Sequence, residues 1–201
     1  MEAARRVVPE IEGKGEGVFG PVSVEEYLRF EEASEVKHEY VAGYVYAMSG
    51  VSKRHNLLTV KLAHLLWPTA ERKNCQVFVA DVKLRVRLRD RDFFYYPDLV
   101  VACDPEDRDP LFVESPCLIV EVTSPSTARI DRFEKFFVYV QIPSLKEYLI
   151  LSQDRPEAMF FRRSREWEEE VYTRPEDRVR LECLGIEFSL SELYAGLPEG
   201  D

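Results

Sequence analysis

Cysteine is scarce and scattered in this sequence. Cys75, Cys103, Cys117 and Cys183 stand singly, with no CxxC pair and no histidine at ligand spacing beside them. That excludes the sequence signature of a zinc or iron–sulfur site, and buried free thiols are the expectation. Long apolar runs are also missing: none approaches the ~20 residues that a membrane-spanning helix needs, so no membrane partner is expected. The opening MEAARRVVPEIEGKGEG has neither the apolar stretch nor the small-residue cleavage site of a secretory signal, and a cytoplasmic protein is the expectation. A basic excess is absent as well. With 37 acidic against 27 basic residues and a formal charge of −10, the chain cannot coat phosphate by bulk charge and would need a local basic patch. RLRDR and FRRSR are the local candidates.

What is present is a chain of 201 residues, 45% apolar, enough for one substantial core. Residues 1–21 are charged and glycine-rich and read as a flexible arm; residues 22–201 read as a single domain. SVEEYLRF carries Ser23 and Glu26 at capping-box spacing and predicts a first helix. HEYVAGYVYAMSG predicts a kinked strand or a hairpin broken at Gly43. SKRHNLLTVKLAHLLW has helical apolar spacing and should stop at Pro68.

Strands are predicted over 75–88, 93–104 and 117–124, the last two with the near-continuous apolar runs of strands covered on both faces. STARIDRFEKFFVYVQ predicts a helix capped at Ser126 or Thr127, its apolar stripe made of Ile130, Phe133, Phe137 and Val140. A strand over 146–153 and a C-terminal antiparallel extension complete a mixed α/β pattern with a central sheet.

One residue disturbs this pattern. Glu121 sits between Val120 and Val122 in a strand that should be buried on both faces, where a lone carboxylate costs several kcal/mol unless it is paired, protonated or bound to metal. Asp98, in YYPDLVV, is the natural neighbour, and two close carboxylates repel unless a divalent cation or a proton lies between them. Hard oxygen ligands are what Mg²⁺ or Mn²⁺ uses in phosphodiester chemistry. The plainer reading is a buried ion pair or a capped turn. Lys83, two residues from Asp81 and so on one face of a strand with it, is a lysine that could reach such a cleft; alternating charges there also suit an exposed strand face. Asp81 is either a further metal ligand or supporting acid, or a structural hydrogen-bond acceptor.

Pro97-Asp98 followed by Glu121 in IVEVTSPST resembles the PD-(D/E)XK nuclease superfamily. With HEYVAGYVYAMSG, the helix bearing His55, ADVKLRV, YYPDLVVACDP, PCLIVEVTSPST, DRFEKFFVY and IPSLKEYLILSQD in order, the chain is similar to the Uma-two family of restriction-endonuclease-like proteins from about Val22 to Tyr194. The resemblance implies a restriction-endonuclease-like mixed sheet flanked by helices and a Mg²⁺-dependent (or Mn²⁺-dependent) endonuclease acting on DNA. It also implies Asp98 and Glu121 as metal ligands and a homodimer.

Thr123 stands where the superfamily lysine usually lies, and the family pattern carries that role onto Lys135. The rival for Lys135 is an i,i+4 partner of Asp131 on a solvated helix face. Glu39 matches the acid before the family's Tyr-rich strand, whereas the usual DGE reads Ala42-Gly43-Tyr44. A role for His55 rests on the resemblance alone. The competing class is a weak or inactive nuclease-fold module kept for binding or oligomerisation, which the net charge and the missing acids favour.

Overall fold

The computed structural model describes residues 18–124 and 128–198. Its elements run β1 (Val18–Phe19), α1 (Val24–Ala33), β2 (His38–Val41), β3 (Tyr44–Ala47), α2 (Lys53–Arg72), β4 (Gln76–Val79), β5 (Lys83–Leu88), β6 (Arg91–Tyr95), β7 (Leu99–Ala102), β8 (Phe112–Val113) and β9 (Pro116–Thr123). A π-helical turn, Ile130–Lys135, then runs into α3 (Phe136–Tyr139). The chain finishes with β10 (Glu147–Ser152), β11 (Ala158–Arg162), β12 (Glu169–Tyr172), β13 (Arg178–Leu181), β14 (Ile186–Ser189) and α4 (Leu190–Tyr194). Most of the arm expected over 1–21, and the cap expected at Ser126 or Thr127, lie outside the described residues. Val18–Phe19 pair with β3.

The architecture is mixed α/β, as expected. One sheet has the order β1-β3-β2-β6-β5-β8, a second β12-β11-β10-β9-β7-β4, and β13-β14 form a small antiparallel hairpin near the C-terminus. In the second sheet β9 pairs parallel to β10 and antiparallel to β7, which makes it central and mixed. All of β9 is buried. Leu58, Leu62 and Leu66 of α2 cover one of its faces, together with Val179 and Leu181 of the hairpin and Leu193 of α4. The other face meets the first sheet: Leu84, Val86, Phe93 and Tyr95 pack with Ile119, Tyr148 and Ile150. The far side of the first sheet is closed by α1, where Tyr27 packs with Tyr40, Val45 and Phe94.

Local sequence accounts for several elements. Ser23 and Glu26 form the reciprocal capping box of α1. Ser52 caps α2 by accepting the His55 N–H. HEYVAGYVYA resolves as a hairpin, with Ala42 and Gly43 at positive φ in its turn.

Other expectations are corrected. The strands expected over 75–88 and 93–104 each break in two, because the chain crosses between the sheets at these points. Ala80 takes a positive φ of 55° at the first crossing, and Pro97, which has no N–H for a ladder, lies at the second. Helix α2 does not stop at Pro68 but continues to Arg72. Its last turn is held by Ala70, buried in the core, and by the Lys73 N–H, which reaches the carbonyls of Thr69 and Ala70.

The helical segment after β9 is turned over relative to its expected face. Ile130, Phe133 and Phe137 are exposed, while Asp131, Lys135 and Tyr139 point inward. Nor are the cysteines free. Cys75 is bonded to Cys103 and Cys117 to Cys183. The β4–β7 register, with Gln76 opposite Ala102, brings Cys75 to Cys103. Cys183 is carried to Cys117 by the turn of the β13–β14 hairpin, which Glu147 fastens by accepting the N–H groups of Glu182 and Cys183.

Candidate active site

The crossing at Pro97 decides where Asp98 lies. It immediately precedes β7, and because Leu99 pairs with Val120, the next antiparallel position sets Asp98 opposite Glu121. Glu121 takes the face that looks toward the first sheet, the face of Ile119, whereas Asp98, just outside the ladder, turns its carboxylate toward the Val122 N–H and α2. Asp98 is fastened at both oxygens: Oδ2 accepts the Val122 N–H at 2.7 Å, and Oδ1 lies 2.7 Å from His55 Nε2. His55, in the first turn of α2, is thus buried against Asp98.

Glu121 is only 3% exposed. Its Oε1 accepts from Lys135 Nζ at 3.0 Å and from the Tyr139 hydroxyl at 2.9 Å. The same ammonium lies 3.0 Å from Glu39 Oε1 on β2 and 3.5 Å from Asp131 Oδ1. The i,i+4 pair with Asp131 therefore exists, but inside the protein rather than on a solvated face. The π turn at 130–135 supports this, since it shifts the helical phase so that Asp131 and Lys135 both face in.

The electrostatics follow. Burial raises the Glu121 carboxyl well above its ordinary range; the Lys135 ammonium pulls it down, and Asp131, Asp98 and Glu39 push it back up. For Lys135, burial opposes the charge, but Glu121, Glu39 and Asp131 together outweigh it and hold the ammonium firmly protonated. Burial likewise keeps the Tyr139 phenol protonated and hence a donor. One ammonium thus offsets a group of carboxylates, and the surplus of negative charge suits a divalent cation. Asp98 and Glu121 supply the hard oxygens such an ion takes, and Glu39 Oε1 is buried without a well-directed hydrogen bond. The donor set fits Mg²⁺ or Mn²⁺.

The other candidates lie apart from these contacts. Asp81, exposed at the first crossing, pairs with Lys37. Lys83 sits with its Nζ 5.5 Å over the ring of Tyr96, whose hydroxyl donates to Glu31. Part of the two basic stretches, and Arg85 beside the first, is held in structural contacts. Arg85 and Arg87 pair with Asp92 and Glu114, Arg162 with Glu170, and Arg163 donates to the carbonyls of Leu145 and Ile142.

Sequence reading missed Tyr139 and the inward role of Asp131. Their signal was the spacing 131, 135, 139, a polar stripe on the side of the helix opposite Phe133 and Phe137.

Comparison with known proteins gives the family. The family model described as "Putative restriction endonuclease", Uma2, matches residues 24–192, which take in every residue of the site. The chain belongs to the Uma2 family. A relative from Synechocystis sp. (strain PCC 6803), the uncharacterized protein slr1290, is 35% identical over 181 residues, covering 89% of this chain and 94% of the relative. A second uncharacterized protein of that organism, sll1609, is 37% identical over 131 residues, covering 64% of this chain and 73% of its own length. Among solved structures, a putative nuclease belonging to DUF820 from Anabaena variabilis superposes with a TM-score of 0.73 at 16% identity. The match covers 89% of this chain and 100% of that one, a likeness of fold.

Proposed function

We propose that this Uma2-family chain is a Mg²⁺-dependent endodeoxyribonuclease, with Asp98 and Glu121 holding the cation and Lys135 beside them. The observation that carries the reading is the juxtaposition of Asp98 with Glu121 across adjacent strands, with the Lys135 ammonium 3.0 Å from Glu121 Oε1. When bound, the ion would supply Lewis-acid polarisation of the phosphoryl oxygen and acidify water.

The chain's own groups would do the rest. His55 and the Val122 N–H hold the Asp98 carboxylate in one orientation. Tyr139 and Lys135 do the same for Glu121. Because Lys135 stays an ammonium, it is unsuited to accept a proton; its role is to orient the attacking water and to offset negative charge as it develops on phosphate. The decisive experiment is incubation of supercoiled and linear DNA with purified protein and Mg²⁺ or Mn²⁺. Metal-dependent nicking that Asp98→Asn abolishes supports the reading, and a protein that neither cleaves DNA nor binds either cation refutes it.

A second reading has its own observation. Arg87 of the first basic stretch and Arg162 of the second are held by carboxylates, and the β2–β3 hairpin carries Ala42 and Tyr44 instead of acids. These favour a nuclease-fold module that binds or assembles without cleaving. Under that reading Asp98→Asn leaves partner binding intact.

A further inference from the structure

The four cysteines, scattered in sequence, converge on one point at the end of the second sheet away from Asp98. Cys75 enters from the end of α2, Cys103 follows β7, Cys117 lies in β9, and Cys183 is in the turn of the C-terminal hairpin. The structure pairs them as Cys75 with Cys103 and Cys117 with Cys183. Two independent disulfides need only pairwise approach, yet here the two pairs also touch: Cys103 Sγ lies 3.5 Å from Cys117 Sγ. The sulfurs of Cys103, Cys117 and Cys183 all fall within 4.8 Å of one another, and Cys75 is joined to the first of them. Tetrahedral zinc, with Zn–S bonds of ~2.3 Å, sets its sulfur ligands ~3.8 Å apart.

We propose that in the reduced chain these four sulfurs bind a single thiophilic divalent cation, Zn²⁺, as a closed structural site, and that the paired disulfides are its oxidised, metal-free counterpart. Four thiolates with no oxygen ligand among them select zinc over the hard cations suited to Asp98 and Glu121. The cation would fasten the ends of β4, β7 and β9 to the β13–β14 hairpin, the same junction that Glu147 holds from the next strand. Lys73 contributes positive charge there, its Nζ 3.3 Å from where a Cβ on Gly185 would lie, next to the Cys183 turn.

The interconversion balances. Two equivalents of a dithiol reduce the two disulfides to four thiols, and the cation then displaces the thiol protons. In the reverse direction, two equivalents of a hydroperoxide take four electrons from the thiolates and four protons from water, leave as two alcohols and two waters, and the two disulfides that form release the cation.

The test uses the full chain, purified anaerobically with a reductant, then freed of reductant and metal with a chelator. Thiols are counted under denaturing conditions, and Co²⁺ is titrated into the native protein while its absorption is recorded. The expected result is four titratable thiols, one Co²⁺ per chain with intense thiolate-to-cobalt charge-transfer bands, displacement of Co²⁺ by Zn²⁺, and release of the metal by hydroperoxide. Carboxylates give no such bands, so Co²⁺ bound at Asp98 and Glu121 does not mimic the signal. A reduced chain with four free thiols and no charge-transfer band overturns the proposal, whether it is folded or unfolded. So does an unchanged band in Cys117→Ser or in the milder Cys75→Ser, at the half-buried position.

Discussion

Lys135 Nζ lies 3.0 Å from Glu121 Oε1, and both side chains are almost wholly removed from water. An ion pair in that position gains much from mutual attraction but only just offsets the cost of desolvation. Its two halves are therefore far more valuable together than either is alone, and the first test concerns that dependence.

Lys135→Met leaves Glu121, Glu39 and Asp131 without their shared cation, and should destabilise the protein by ~3–5 kcal/mol. Adding Glu121→Gln to Lys135→Met should recover part of that loss. A double-mutant cycle by denaturant unfolding checks it, and simple additivity would contradict the pairing.

Asp98→Asn should reduce metal-dependent DNA cleavage by at least ~100-fold, in the range for loss of a positioned group at a reacting centre. An amide oxygen can still accept the Val122 N–H, so the thermal midpoint should move by only a few degrees. Comparing cleavage rates with thermal melts separates a lost ligand from a lost fold.

Glu121 gives a pH dependence of definite sign. Burial, then the surrounding carboxylates, raise its folded pKa above the unfolded value, so the folded state binds the proton more tightly than the unfolded one. Its contribution to stability is fully present below the unfolded carboxyl pKa of ~4.3 and declines as pH rises toward the raised folded value. The melting temperature of the metal-free protein, measured against Glu121→Gln across that window, should fall with rising pH relative to the variant. A difference that grows with pH would reverse the assignment.

Glu147, with no exposed surface, accepts the Glu182 and Cys183 N–H groups. Burial raises its carboxyl pKa against the opposing pull of those two hydrogen bonds and of Arg162. Glu147→Leu orphans both donors and should cost ~3 kcal/mol. Amide exchange should quicken first at residues 181–186; protection that persists there would argue against this fastening.

Phe133→Ser and Phe137→Ser test the orientation of the helical segment. Both rings are more than half exposed, so each change should alter unfolding free energy by less than ~0.5 kcal/mol. A loss of several kcal/mol in denaturant melts would mean that the aromatic stripe faces the core.

Much of this molecule was legible from local rules. The capping box at Ser23, the cap at Ser52, the doubly buried run of β9 and the anomaly of Glu121 within it depend on neighbours a few residues away. Ordered motif blocks likewise identified the family and pointed to Asp98, Glu121 and Lys135. Helical periodicity misled at residues 130–140, because hydrophobicity there marks the outer face: the demand of a buried carboxylate for a cation outweighs the burial of two phenyl rings.

Tertiary structure alone decided the rest. Which strands neighbour each other set Asp98 opposite Glu121, the sheet crossing at Ala80 left Asp81 outside, and β2 brought Glu39 to Lys135. It also gathered Cys75, Cys103, Cys117 and Cys183, which no spacing rule connects. Local sequence dictates propensity, caps and the burial of a face. Encounters between residues far apart in the chain depend on strand order and register, which are settled only when the whole core packs.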